Sequence, residues 1–232
     1  MKILNYPQNI LIPKLDTYLE SLNKETSRSL GKKAIHPSSI SGCARAIVYE
    51  MLGVSEPEKT PPGTRRIFDN GHGVHHRIES YLEKAGLFDI LPDGKPAREV
   101  RLKNDEYWIE GTCDGILNID GMKFVLEIKS INTWGFSTLD APSWYYLDQL
   151  HLYFFCLGIP QGIFLYENKD TQVLREFVVE QDDERLSKIL DKIRFIQQCV
   201  EKGNLPEMTC TSKDKGKYCK FINQCFPPKC KI

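Results

Sequence analysis

The chain has 232 residues, 41% of them hydrophobic, and its 31 basic and 31 acidic side chains cancel to a formal charge of zero. That is enough apolar material for one large domain with a sizeable core. The neutral balance excludes attraction to nucleic acid through gross charge, so any basic surface must be local. No run reaches the length of a membrane span, and Pro7 and Pro13 interrupt the N-terminus before a signal-peptide core develops, which points to the cytosol.

Apolar spacing at Leu15, Tyr18, Leu19 and Leu22 predicts a first helix, and "HPSSISGCARAIVYEMLG" reads as a capped second helix ended by Gly53. After the loop "SEPEKTPPGT", a longer helix is expected over about 65–85, then short strands near 97–102 and 107–110. A hairpin follows. Beyond it come a helix over 143–157, a strand pair at 162–167 and 172–179, and a long amphipathic helix over 182–202. The order predicts a mixed α/β (α+β) fold, with a domain over 1–203 and a cysteine-rich segment over 204–232.

The hairpin is "EGTCDGILNIDGMKFVLEIKS", residues 110–130. Asp120-Gly121 predicts a two-residue type I′ turn, because both central positions need positive φ. Ile119 then faces Met122, Asp114 faces Glu127 and Thr112 faces Lys129. Side chains alternate, so Met122, Phe124, Leu126 and Ile128 share an apolar core face with Leu117 and Ile119, while Asp114, Glu127 and Lys129 occupy the other. Two opposed carboxylates repel unless a cation lies between them, and hard oxygen ligands suit Mg²⁺ or Mn²⁺. The alternative is a solvated strand face on which Lys129 pairs with either acid.

Other constellations bear on this choice. In "NGHGVHHRIESYL", His75 and Glu79 are four apart and share a helical face from which both can reach one metal; His72 and His76 are weaker candidates. Gln149 and Tyr153 are likewise four apart, whereas His151 points elsewhere and reads as structural. Of the eight cysteines, Cys113, Cys156 and Cys199 sit in apolar or helical patterns and read as core residues. Cys43, Cys210, Cys219, Cys225 and Cys230 remain. The last four crowd a short tail with six lysines and one aspartate, where thiolates suit zinc or an iron–sulfur cluster.

Taken in order, "SSISGCARAIVYE", "GHGVHHRIE", "GTCDGIL", "LEIKS", "DQLHLYFF" and the cysteine tail resemble the PD-(D/E)XK nuclease superfamily. The likeness is to its RecB-like exonucleases and to CRISPR-associated and phage-encoded members that carry an iron–sulfur cluster. The resemblance implies a restriction-endonuclease-like central sheet flanked by helices. It also implies a metal-dependent DNA exonuclease with His75, Asp114 and Glu127 on Mg²⁺ or Mn²⁺ and Lys129 beside them as catalytic residues. Gln149 and Tyr153 match a QxxxY motif near the bound strand, and Cys43 and Arg45 match the upstream Cys-x-Arg, Arg45 being a further DNA-binding candidate.

Cys43, Cys210, Cys219 and Cys225 would hold a 4Fe-4S cluster, or alternatively Zn²⁺, that joins the two ends of the chain. Here the sequence departs from the family. Cys219 and Cys225 reproduce its final C-x5-C, but eight residues separate Cys210 from Cys219, and Cys230 is a further candidate ligand. Cys113 stands where the proline of the family's name would be. DNA is the expected partner, in a host cytoplasm if the chain is phage-encoded. The alternatives are a non-catalytic nucleic-acid-binding or nuclease-partner protein and a cysteine-based redox protein; the latter leaves the acidic hairpin unexplained.

Overall fold

A computed structural model of the protein describes residues 11–24, 31–54, 60–210 and 219–226. Helices α1 (Ile12–Ser21), α2 (Ala44–Met51) and α3 (Pro62–Lys84) precede β1 (Arg98–Asn104), β2 (Ile109–Ile119) and β3 (Met122–Ile131). Then come α4 (Thr133–Ser137), α5 (Trp144–Leu157), β4 (Gln161–Asn168), β5 (Leu174–Glu180), α6 (Asp183–Lys202) and a short α7 (Ile222–Cys225). The five strands form one sheet in the order β1-β2-β3-β4-β5, parallel between β3 and β4 and antiparallel elsewhere. Among the described residues, no helix is long and apolar enough to cross a membrane.

Local chemistry sets the ends of these elements. Asp182 caps α6 by accepting from Arg185 N at 3.0 Å, and Asn132 caps α4 by accepting from Gly135 N at 2.8 Å. Gly158 and Gly203 end α5 and α6 with φ of 65° and 66°. The hairpin turns at Asp120 and Gly121, with φ of 53° and 84°, and Ile119 faces Met122 as expected.

Two expectations are corrected. The second helix is divided into a 3-10 turn at Pro37–Ser39 and α2, which starts only after Cys43. Ser39 directs its hydroxyl to the carbonyl of His36 three residues back, and such local bonds compete with continuous helix. The short strand near 107–110 is the beginning of β2, which pairs with β1 across the turn at 105–108.

Burial closes the alternative of a solvated strand face. The apolar hairpin face does pack as expected: Leu117, Phe124, Leu126 and Ile128 meet Val74 and Ile78 of α3. The opposite face is covered too, with Val125 fully buried among Ile35, Val48, Leu150, Phe164 and Ile193, beneath α2, α5 and α6. A sheet with a parallel pair between helical layers buries both faces, and Glu127, 3% exposed, is buried with it.

Candidate active site

The β2–β3 ladder runs from Ile119↔Met122 to Gly115↔Leu126 and stops there. The expected direct opposition of Asp114 and Glu127 is therefore replaced by a split, after which β3 continues beside β4 and β2 beside β1. On its other side Asp114 is skipped by a ladder that otherwise keeps its register from Arg98↔Gly115 to Val100↔Cys113, and Glu99 opposite it turns to φ 47°. Its Oδ2 fills the split by accepting from Ile128 N at 2.5 Å, and its Oδ1 lies 3.1 Å from His75 Nδ1. The result is a notch in the sheet with a carboxylate at its edge.

His75 comes from α3, which two buried carboxylates hold over the sheet. Arg77 Nη2 donates to both carboxylate oxygens of Glu167 at 2.7 and 2.8 Å, and Arg98 Nε donates to Glu79 Oε2 at 2.6 Å. Ligand atoms of His75, Glu79 and Asp114 lie within 4.8 Å of one another. A divalent ion fits that donor set of one imidazole and two carboxylates.

Glu127 points into the same region from β3. Its Oε1 accepts from Gln149 Nε2 at 2.9 Å and from the Lys129 ammonium. Gln149 Nε2 also approaches Tyr153 Oη at 2.6 Å, and that hydroxyl donates to Thr112 O at 3.1 Å. Lys129 Nζ lies 4.2 Å from the centre of the Tyr146 ring. Every expected member of the hairpin-centred set thus has a fixed partner.

The electrostatics call for positive charge. Burial, with the Asp114 charge next, pushes the Glu127 carboxyl up to about 7, while Lys129 pulls the other way. Burial pulls His75 down, but the Asp114 carboxylate outweighs it and leaves the imidazole above its ordinary value. Both groups therefore take up protons more readily than usual, and a divalent cation would satisfy the same field.

The structure places the sequence-derived residues unevenly. His75 and Asp114 contact each other, and Glu127, Lys129, Gln149 and Tyr153 form a second hydrogen-bonded group beside them, Glu127 standing outside the His75–Glu79–Asp114 donor set. Glu79, recognised by its spacing from His75, belongs to the tightest donor group. Arg98 and Arg77 had no signal, because their carboxylate partners arrive only through strand docking and helix packing. His72 and His76 are exposed. His151 is structural as expected: its Nε2 accepts from Asp182 N at 2.9 Å, so its Nδ1 donates to Leu147 O at 2.7 Å.

Arg45 lies at the tail. It donates to Pro206 O at 2.6 Å and to Tyr49 Oη at 3.2 Å. Phe221, 1% exposed, stacks on Tyr49 with ring centres 5.1 Å apart, and Lys220 pairs with Glu50, so the C-terminal turn docks on α2. Cys43, Cys210, Cys219 and Cys225 all line one cavity of about 90 Å³ there. Among the described residues, no three of these thiols fall within 4.8 Å of one another. Zn–S bonds of about 2.3 Å would require a closer set, so this arrangement is not a formed zinc tetrahedron. Cys230 lies outside the described residues. Cys113 and Cys199 are buried, and Cys156 packs against the core.

No family model matches the sequence, and no curated protein does. Solved structures do match in fold. SSO0001 aligns with a TM-score of 0.55 and 19% identity, over 96% of this chain and 98% of that one. LHK-Exo in complex with dAMP gives 0.55 and 17%, over 74% and 89%. The alkaline exonuclease LHK-Exo from Laribacter hongkongensis gives 0.54 and 13%, over 82% and 93%. The mixed five-stranded sheet flanked by helices is similar to that exonuclease fold.

Proposed function

We propose that the protein is a metal-dependent deoxyribonuclease, an exonuclease that hydrolyses DNA phosphodiesters. The observation that carries this reading is the notch, where His75, Glu79 and Asp114 converge and Glu127 and Lys129 stand beside them. Its setting in a fold similar to that of an exonuclease solved with dAMP supports DNA as the substrate.

Asp114, Glu127 and His75 would hold Mg²⁺ or Mn²⁺; Glu79, whose carboxylate groups with His75 and Asp114, would be a further ligand, whereas Glu127 stands outside that 4.8 Å group. Such an ion, when bound, polarises the scissile phosphate and lowers the pKa of water. Asp114 offers Oδ1, since Oδ2 is engaged by Ile128 N. Gln149 orients Glu127, and Lys129 directs its ammonium toward the water or the charge developing on the phosphate.

The thiols of Cys43, Cys210, Cys219 and Cys225, which line one cavity, would suit a 4Fe-4S cluster tying the tail to α2. Its role is structural. A brown protein absorbing near ~400 nm, with the colour lost in Cys219→Ala, is the expected result. A colourless protein with stoichiometric zinc would replace the cluster by the metal alternative.

The nuclease reading is tested on single- and double-stranded DNA with Mg²⁺ or Mn²⁺. Asp114→Ala and Lys129→Ala should each lower cleavage by about 10²-fold or more. Equal cleavage by wild type and both variants would mean a contaminant. DNA binding without cleavage by the wild type would favour a non-catalytic binding protein on the same fold.

A further inference from the structure

The notch continues along one stripe of α5. Tyr146, Gln149 and Tyr153 follow helical spacing and touch, in turn, Lys129, Glu127 and the Thr112 carbonyl. Toward the helix N-terminus, the Tyr146 ring lies 4.4 Å from Tyr145, whose ring lies 5.8 Å from Trp144. These outer rings are 44% and 61% exposed. Their backbone is held in place: Ser41 Oγ donates to Tyr145 O at 2.9 Å, and Arg185 donates to Trp144 O at 3.3 Å. The aromatic steps thus lead rigidly from the lysine to the surface.

In the other direction a cleft of about 640 Å³ opens, lined by Gln149, Tyr153, Thr112, Arg101, His36 and Ser38. The Gln149 side chain is buried, and its amide oxygen accepts no hydrogen bond from any described residue. Nearby cations are mostly engaged, Lys103 with Asp105 and Lys32 with Glu110. Exposed Arg101 makes no ion pair among the described residues, so its guanidinium is available for an anion from outside. It pairs across the ladder with Thr112, whose carbonyl receives Tyr153 Oη. The free charge and the catalytic stripe meet at one strand register.

We propose that this cleft is a subsite for single-stranded DNA, with Arg101 gripping a backbone phosphate and Trp144 and Tyr145 stacking bases on the far side of the notch. The inference rests on the nuclease reading and adds the form of substrate. A cleft of this volume is of the size that takes small ligands, and exposed rings such as Trp144 and Tyr145 can stack on bases only where those bases are unpaired. Guanidinium matches phosphate geometry. Base stacking on aromatic rings is sequence-tolerant, as an enzyme consuming a strand requires.

The test is fluorescence anisotropy with a labelled 12-nucleotide oligo-dT and a labelled 12-base-pair duplex, without added divalent ion, so that nothing is cleaved. Arg101→Ala and Trp144→Ala should each weaken single-strand binding by about tenfold or more. Only Arg101→Ala should lower the salt dependence, by about one phosphate contact. Lys95→Ala, an exposed lysine before β1 paired with Asp93, controls for general loss of charge and should bind as wild type.

Unchanged binding in Arg101→Ala would overturn the proposal. So would equal affinity for duplex with the same losses, or no binding of either probe by the wild type. Parallel cleavage assays with Mn²⁺ separate the two claims. Binding through Arg101 without cleavage removes the nuclease reading and keeps the subsite, whereas cleavage unimpaired in Arg101→Ala at subsaturating single strand removes the subsite alone.

Discussion

Glu127→Gln should flatten the pH dependence of stability in protein without divalent ions. The Glu127 carboxyl is buried, and its folded pKa of about 7 stands above the ordinary 4.5, because of burial first and the Asp114 charge second. Between those values the folded chain binds the proton more tightly than the unfolded chain. This contribution to stability is therefore full at low pH and is lost as pH rises from about 4.5 through about 7. At ~1.4 kcal/mol per pH unit, the swing is on the order of 3 kcal/mol. For a chain of this size it corresponds to roughly 6–12 °C in Tm. His75 acts in the same sense, since its folded pKa is raised and part of that rise comes from Glu127. Thermal unfolding in chelator-treated buffer between pH 5 and 8 should show wild type falling more steeply than Glu127→Gln, whose amide oxygen still accepts from Gln149. Mn²⁺ at pH 8 should raise the wild type more than the variant. Parallel pH profiles for the two proteins would refute the account of the notch as a field that needs a cation.

Other outcomes follow from packing and titration. Phe221→Ala deletes a buried ring stacked on Tyr49 and should free the C-terminal turn from α2, at a cost of up to ~3–5 kcal/mol in that docking; limited proteolysis should cut the tail faster, and an unchanged digestion pattern would argue against docking. Gly162→Ala places a methyl 2.7 Å from Val125 O and 2.9 Å from Phe154 Cε1, within the parallel β3–β4 pair; urea unfolding should show a loss of about 1–3 kcal/mol, and a neutral result would mean the strands separate freely there. Burial, chiefly, lowers the pKa of His151, and its two bonds fix the neutral Nδ1–H tautomer. Its contribution to stability is thus complete above the ordinary 6.5 and declines as pH falls below it; an NMR titration midpoint at or above 6.5 would contradict this.

The fold was legible where one local rule decided the outcome. The Asp120-Gly121 turn determined the hairpin register, and the apolar face of β3 met α3 as its alternation required. The site was legible through spacing along single elements: His75 to Glu79, Glu127 to Lys129, Gln149 to Tyr153. What escaped depends on contacts between distant segments. The split between β2 and β3 falls where Asp114 turns its carboxylate onto Ile128 N, while β3 continues beside β4, and neither pairing can be read from the hairpin's own residues. Burial of Glu127 depends likewise on the second helical layer. The division of the second helix shows a milder limit, since the serines that favour a cap also favour turns.

The split has a consequence for how substitutions at Asp114 divide. One oxygen of this side chain stands in for a missing rung of the β-ladder, and the other faces His75. Architecture and reactivity are thus assigned to two atoms of one carboxylate. Asparagine can keep the rung while surrendering the charge, so Asp114→Asn separates the two duties, whereas alanine abolishes both. An isosteric amide here would leave the sheet its shape and take from it only its appetite for a cation.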